Sequence, residues 1–270
     1  MGRKKHASVA ALPAYGSGRR GIYLLPNLIT SAGLFCGVFS IVQSSQGLYW
    51  KAAVAILVAT IFDGLDGRVA RMTNTSSRFG VEYDSLCDLV SFGVAPGVLI
   101  YGWALAPLNI WGWSAISLFV TCAAIRLARF NVSVGHVDSG GFVGLPVPAA
   151  ATMLSSCVLA YRYFGRSGLP DKPVALLLLT YALAFLMVST IRYESFKNLR
   201  INSRQPLSTF VVAVMVFTVG IAAYPAFIFV AISAYVSSGP VLWLYRRVRG
   251  RGRRGEEPPS AQPGEEAAAG

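Results

Sequence analysis

Charge is what this chain has least of. Charged residues make up 13% of its 270 positions, about half the share of an ordinary soluble domain. Acidic residues number twelve and histidines two. So little charge excludes a conventional water-soluble globule. The two histidines leave little room for imidazole chemistry: His6 falls in a basic N-terminal arm, and His136 reads as a loop residue rather than a catalyst. Cysteine is also sparse. Cys36, Cys87, Cys122 and Cys157 all lie in or beside apolar runs, and no pair has metal-site spacing, so they read as small buried hydrophobes. A secretory signal is not expected either. Residues 1–21 carry Arg3, Lys4, Lys5, Arg19 and Arg20 but no short apolar core followed by a small-residue cleavage site.

What is present is apolar length. Hydrophobic residues make up 54% of the chain and mean hydropathy is +0.54. They come in runs near 20 residues long, as bilayer spans do. The expected fold is all-α, a polytopic membrane bundle of about eight helices, with six or seven as alternative counts. The spans are placed near 28–44, 51–72, 84–106, 110–130, 147–164, 173–190, 207–222 and 225–245. A short basic–apolar segment from Arg19 to Leu25 is suited to the membrane interface. Residues 1–18 are expected to be a disordered basic arm, 19–245 the membrane-embedded domain, and 246–270 a basic then acidic disordered tail.

Basic residues orient these spans. With a cytoplasmic N-terminus, 20 of the 24 lysines and arginines fall on the cytoplasmic side, and only Lys51, Arg162, Arg166 and Lys172 remain outside. The net charge of +12 is then explained by orientation and by attraction to anionic lipid, and no nucleic acid is implied. Both termini are expected in the cytoplasm, at the cell membrane.

The acidic residues are rationed by position as well as number. Four lie in the C-terminal tail, and five of the other eight lie between residues 63 and 88. Asp63 and Asp66 are three apart and share a helix face, continued by Gly67, Ala70 and Arg71. Asp84 and Asp88 are four apart on the next helix, one turn after Gly80. If these helices pack side by side, four carboxylates converge on one pocket at the cytoplasmic face. Such a pocket repels itself: two charges about 4 Å apart cost on the order of 4 kcal/mol at an effective dielectric near 20. Protons or cations must offset this, and hard carboxylate oxygens suit Mg²⁺ or Mn²⁺, four being enough for a two-metal centre. Arg71 offers a fork for a phosphate oxygen. Carboxylates paired with Arg68, Arg71 and Arg78 at helix ends would be the bland alternative. Ionisable groups clustered on two successive spans argue against it.

The pattern Asp63-x₂-Asp66-Gly67-x₂-Ala70-Arg71-x₈-Gly80-x₃-Asp84-x₃-Asp88 resembles the signature of the CDP-alcohol phosphotransferases, with all eight fixed positions present. Within that family, three segments look like the bacterial phosphatidylserine synthases. They are Leu25-Pro26-Asn27-Leu28-Ile29-Thr30, then Glu82 to Gly93, and then Arg126-Leu127-Ala128-Arg129-Phe130-Asn131 followed by Gly144-Leu145-Pro146-Val147-Pro148. The similarity spans about 20–245.

The resemblance implies transfer of a phosphatidyl group from CDP-diacylglycerol to L-serine, giving phosphatidylserine and CMP. It implies two divalent cations, Mg²⁺ or Mn²⁺, on Asp63, Asp66, Asp84 and Asp88, with Asp88 also the general base. Gly67, Arg71 and Ser77 are expected to touch the CDP part of the lipid, joined by Asn27 and Thr30 from the first span. Relatives of this kind are typically homodimers. Serine carries a carboxylate that needs a cation, and Arg126 and Arg129 at the cytoplasmic end of the fourth span are the candidates. Inositol phosphate or glycerol phosphate as acceptor, and divalent-cation transport, are the competing functions. Transport is disfavoured because the outer halves of the spans hold no acidic residue.

Overall fold

The computed structural model describes residues 24–73, 77–133, 142–165, 170, 173–193 and 223–253. It is mostly helical: α1 (Leu24–Ser45), α2 (Tyr49–Met72), α3 (Arg78–Leu108), α4 (Ile110–Ser133), α5 (Val147–Tyr163), α6 (Pro173–Val188) and α7 (Tyr224–Arg253). Two-residue strands β1 (Phe142–Val143) and β2 (Arg192–Tyr193) pair antiparallel. Seven of the eight expected spans coincide with these helices, and 207–222 lies outside the described residues. So do His6, His136, the N-terminal arm, residues 254–270 and most of the expected interfacial segment, while residues 246–253, expected as the start of a disordered tail, continue α7 as helix. Among the described residues, four helices are long and apolar enough to cross a bilayer on their own: α1, α3, α4 and α7.

The faces of α1 show what solvent the fold is built for. Its buried positions are Pro26, Thr30, Gly33, Gly37, Ser40 and Ser44, all small or weakly polar. Its exposed positions include Leu28, Phe35, Val38, Phe39 and Val42. A soluble helix does the reverse. Small residues inward and large apolar residues outward suit a helix whose surroundings are hydrocarbon, where close backbone approach takes over from hydrophobic burial. The stripe packs on α2, which answers with Ala52, Ala55, Ala59 and Ile56, all buried.

Helix α3 is the centre of the bundle. Its apolar window is 61% buried, against 33% or less in α1, α4 and α7, and it touches α1, α2, α4, α5 and α6. It is not a regular helix. Directly after Asp88, residues Leu89–Val94 form a wider π turn, with the Ala95 N–H donating to Val90 O. Pro96 supplies the reason: a proline ring inside a helix clashes with the carbonyl four residues back, and a widened turn relieves this. A second π turn (Tyr101–Leu105) and a 3₁₀ turn carrying Pro107 end the helix.

The connections alternate, so the start of α1, the end of α2, the start of α3 and the end of α4 share one end of the bundle. The β1–β2 pair lies beyond α5 and α6, where the Gly144 N–H donates to Ile191 O (2.8 Å) and the Leu145 N–H to Leu186 O (3.0 Å). The opposite end is fastened by Tyr49 donating to Gly102 O (2.8 Å) and by Arg162 over the Trp50 ring (5.4 Å). Trp111 and Trp113 are exposed at that end, consistent with an aromatic belt at a membrane interface.

Candidate active site

Helix α2 delivers its carboxylates from its last three turns. Asp66 is buried, at 5% exposure, while Asp63 is half-buried. The Thr30 hydroxyl donates to Asp66 Oδ2 (2.7 Å) from α1 and also lies 3.1 Å from Pro26 O. Helix α3 starts at Ser77, whose hydroxyl accepts the Gly80 N–H (3.0 Å) as a cap. A side chain at Gly80 would come within 3.3 Å of Asn27 Oδ1, so glycine there lets the starts of α1 and α3 meet. Ser31 and Tyr83 share a hydrogen bond (2.8 Å) across the same junction.

This packing brings ligand oxygens of Asp63, Asp66 and Asp84 within 4.8 Å of one another. The groups acting electrostatically on Asp84 are Asp66 and Asp63, and Asp63 likewise feels Asp66. At that separation each pair of unit charges costs on the order of 3 kcal/mol at an effective dielectric near 20. Asp84 Oδ1 is buried with no hydrogen-bond partner among the described residues. Unneutralised, these groups would be a heavy burden on the fold. An all-oxygen, mutually repelling set with an unsatisfied buried oxygen fits a hard divalent cation.

Two cavities adjoin the carboxylates. One of about 180 Å³ is lined by Pro26, Asn27, Thr30, Asp66, Gly67, Ala70, Ser77, Gly80, Val81 and Asp84. The other, about 10 Å³, lies among Thr30, Asp63, Asp66, Cys87, Asp88 and Ser91, room for about one water-sized occupant. Asp88 therefore sits beside the triad, one turn deeper in α3. Arg126 of α4 is within electrostatic reach of Asp88, and its Nε is buried without a hydrogen-bond partner among the described residues.

The CDP-alcohol phosphatidyltransferase family model matches residues 23–188, which include every residue named in both cavities. The chain belongs to that family. The CDP-diacylglycerol–serine O-phosphatidyltransferase of Helicobacter pylori is 38% identical over 229 residues, covering 84% of this chain and 94% of that protein. The protein of the same name in Methanocaldococcus jannaschii is 37% identical over 180 residues, 66% of this chain and 78% of its own. The archaetidylserine synthase of Methanothermobacter thermautotrophicus is 38% identical over 173 residues, 63% and 69% of the two chains. As a CDP-alcohol phosphatidyltransferase, the chain has its family signature on facing stretches of α2 and α3, around the cavity just described.

Of the residues expected from the sequence, Asn27, Thr30, Gly67 and Ser77 line the larger cavity with Asp66 and Asp84. Asp63 and Asp88 line the smaller one. Arg71 and Arg129 are exposed, and neither lines a cavity described here. Other contributors had little sequence signal. Asn131 donates to Ser85 Oγ (3.0 Å) and Glu82 Oε2 (3.2 Å), tying the end of α4 to the start of α3. Its place in the Arg126–Asn131 segment was its only mark.

Proposed function

We propose that this chain transfers a phosphatidyl group from CDP-diacylglycerol to the hydroxyl of L-serine, releasing CMP. The observation that carries this is the convergence of Asp63, Asp66 and Asp84 on a cavity walled by Asn27, Thr30, Gly67 and Ser77. In this reading those four residues receive the cytidine diphosphate head, with Arg71 on a phosphate oxygen. Two divalent cations, Mg²⁺ or Mn²⁺, held by Asp63, Asp66, Asp84 and Asp88 would neutralise charge on the transferring phosphoryl group.

Asp88 accepts the proton of the acceptor hydroxyl. The serine oxygen bonds to the phosphorus next to diacylglycerol, the bond from that phosphorus to the CMP oxygen breaks, and CMP leaves with the electron pair. Serine carries its hydroxyl and carboxylate on adjacent carbons, so the base and a cation must lie close together. Arg126, within electrostatic reach of Asp88, supports serine on that ground, with Arg129 a further candidate at the same helix end. Named relatives that use serine support it as well.

The reading includes a membrane-embedded domain over 19–245 with eight spans, cytoplasmic termini and active site, and a homodimer. The H. pylori relative supports the length of the domain, being similar over 229 residues.

An acceptor panel tests the reaction. Purified protein should release CMP only when CDP-diacylglycerol, L-serine and Mg²⁺ or Mn²⁺ are present together. Release with inositol phosphate or glycerol phosphate and indifference to serine would reject serine as acceptor. Asp88→Asn should abolish turnover while leaving the melting temperature nearly unchanged, and normal turnover in that variant would sink the proposed base.

A further inference from the structure

The carboxylates that meet at the site stand on helices that do little to hold each other. The head of α3, Arg78–Asp88, packs mainly on α1 and α4 rather than on α2, which carries Asp63 and Asp66. Of its eleven residues only Cys87 is fully buried, so apolar packing grips it weakly. The π turn at Leu89–Val94 separates it from the well-buried body of the helix. Yet Asp84 comes within 4.8 Å of Asp63 and Asp66. Successive residues point about 100° apart around a helix, so a modest rotation of the head would carry Asp84 off the site. Something other than apolar burial must set that rotation.

The residues on either side of Asp84 make the contacts that can. Tyr83 reaches α1, where its hydroxyl lies 2.8 Å from Ser31 Oγ. Ser31 gives its own proton to Asn27 O (2.7 Å), so the Tyr83 hydroxyl is the donor. Ser85 meets α4, where Asn131 Nδ2 donates to Ser85 Oγ (3.0 Å) and to Glu82 Oε2 (3.2 Å). Tyr83 and Ser85 point about 200° apart around the helix, so the two contacts act from nearly opposite sides with Asp84 between them. We infer that Ser31 and Asn131 are positioning residues that peg the rotation of the head of α3, bring Asp84 to Asp63 and Asp66, and so set the affinity of the cluster for a divalent cation. Neither occupies a fixed position of the family signature. Thr30, the neighbour of Ser31, holds Asp66, so adjacent residues of α1 brace the two carboxylate helices, one each. Preorganised ligands bind more tightly because less order is lost on binding. The inference rests on the proposed reading of these carboxylates as the ligands of the cation.

The test reads metal binding without turnover. Purified protein is titrated with Mn²⁺ in the absence of substrate, free ion is followed by its EPR signal, and melting temperature is recorded in parallel. Tyr83→Phe and Ser31→Ala should each weaken Mn²⁺ binding by roughly three- to tenfold. Combined, they should weaken it no further than either alone, since both remove the same hydrogen bond. Ser31→Thr keeps the hydroxyl and should stay within about twofold of wild type. Asn131→Ala, which removes the peg on the other side, should weaken binding by a factor similar to Tyr83→Phe. Unchanged Mn²⁺ affinity in Tyr83→Phe and Asn131→Ala overturns the inference, as does a lowered melting temperature with affinity unchanged, which would mark a merely structural role. Should Asn131→Ala fail to fold, Tyr83→Phe and Ser31→Ala decide the matter by the same criterion. If wild type itself binds no Mn²⁺, the metal reading fails first and the inference fails with it.

Discussion

At the scale of single residues, the site turns on one short hydrogen bond. The Thr30 hydroxyl reaches Asp66 Oδ2 at 2.7 Å from a different helix, and it fixes the orientation of the most buried carboxylate in the triad. Partners of this kind behind a metal ligand are typically worth tenfold to a hundredfold in metal affinity. Thr30→Val keeps the shape and removes the donor. It is expected to raise the Mn²⁺ concentration for half-maximal CMP release by about tenfold or more, with the serine KM little changed. A metal titration checks this, and an unshifted midpoint would show that Asp66 needs no such support. Asp84 illustrates the other side of the same chemistry. Its buried, unpartnered Oδ1 is a cost unless a cation or proton meets it. Chelation should therefore lower the melting temperature of the purified protein, and re-adding Mn²⁺ should restore it. A melting curve indifferent to both would count against a bound metal.

At the scale of elements, the carboxylates meet because α1, α2 and α3 pack unusually closely. At Gly37 an added Cβ would lie 2.5 Å from Ser91 Oγ and 2.8 Å from Ser91 Cα, and the Ser91 hydroxyl already donates to Gly33 O (3.3 Å). No rotamer change at Ser91 can move its Cα, so a larger residue at 37 must push α1 away from α3. Gly37→Val is expected to cost on the order of 1–3 kcal/mol and to depress both the melting temperature and the Mn²⁺ affinity, because Thr30 would shift with α1. Phe35→Ala, on the exposed face of the same helix at 71% exposure, should leave both nearly unchanged. Thermal unfolding in detergent with a parallel metal titration separates the two outcomes. The π turn after Asp88 belongs at this scale too. It is placed by Pro96 and changes the phase of α3 just below the carboxylates.

At the scale of the whole molecule, the proposal of a cytoplasmic site makes a directional prediction. Met72, at the end of α2 and 85% exposed, shares the site's end of the bundle, whereas Phe164, just past α5 and 67% exposed, lies at the other. Met72→Cys should react with a membrane-impermeant maleimide in inverted vesicles and not in intact cells, and Phe164→Cys should do the reverse. The native thiols complicate this little: Cys87 and Cys122 are buried, and Cys36 and Cys157 are partly so. Labelling in the opposite sense would overturn the orientation argued from the basic residues.

The sequence by itself determined the class of the molecule and the existence of the site. Apolar run length and the sidedness of Lys and Arg are properties of local chain, and so is the helical repeat that aligns Asp63 with Asp66 and Asp84 with Asp88. The family signature sits within that same short stretch. Tertiary structure alone decided which distant groups meet it. Thr30 was named from the sequence as a lipid contact, yet its hydrogen bond to Asp66 joins residues 36 positions apart. Arg126 and Arg129 looked equivalent at three-residue spacing, but Arg126 is partly buried and within electrostatic reach of Asp88, whereas Arg129 is exposed at the helix end. The ring packing of Tyr193 on Tyr235 carried no signal either, because it joins segments 42 positions apart. Helical period sets the phase of residues within one helix. The phase between helices is set by which small residues let which backbones approach, and that appears only once the bundle is assembled.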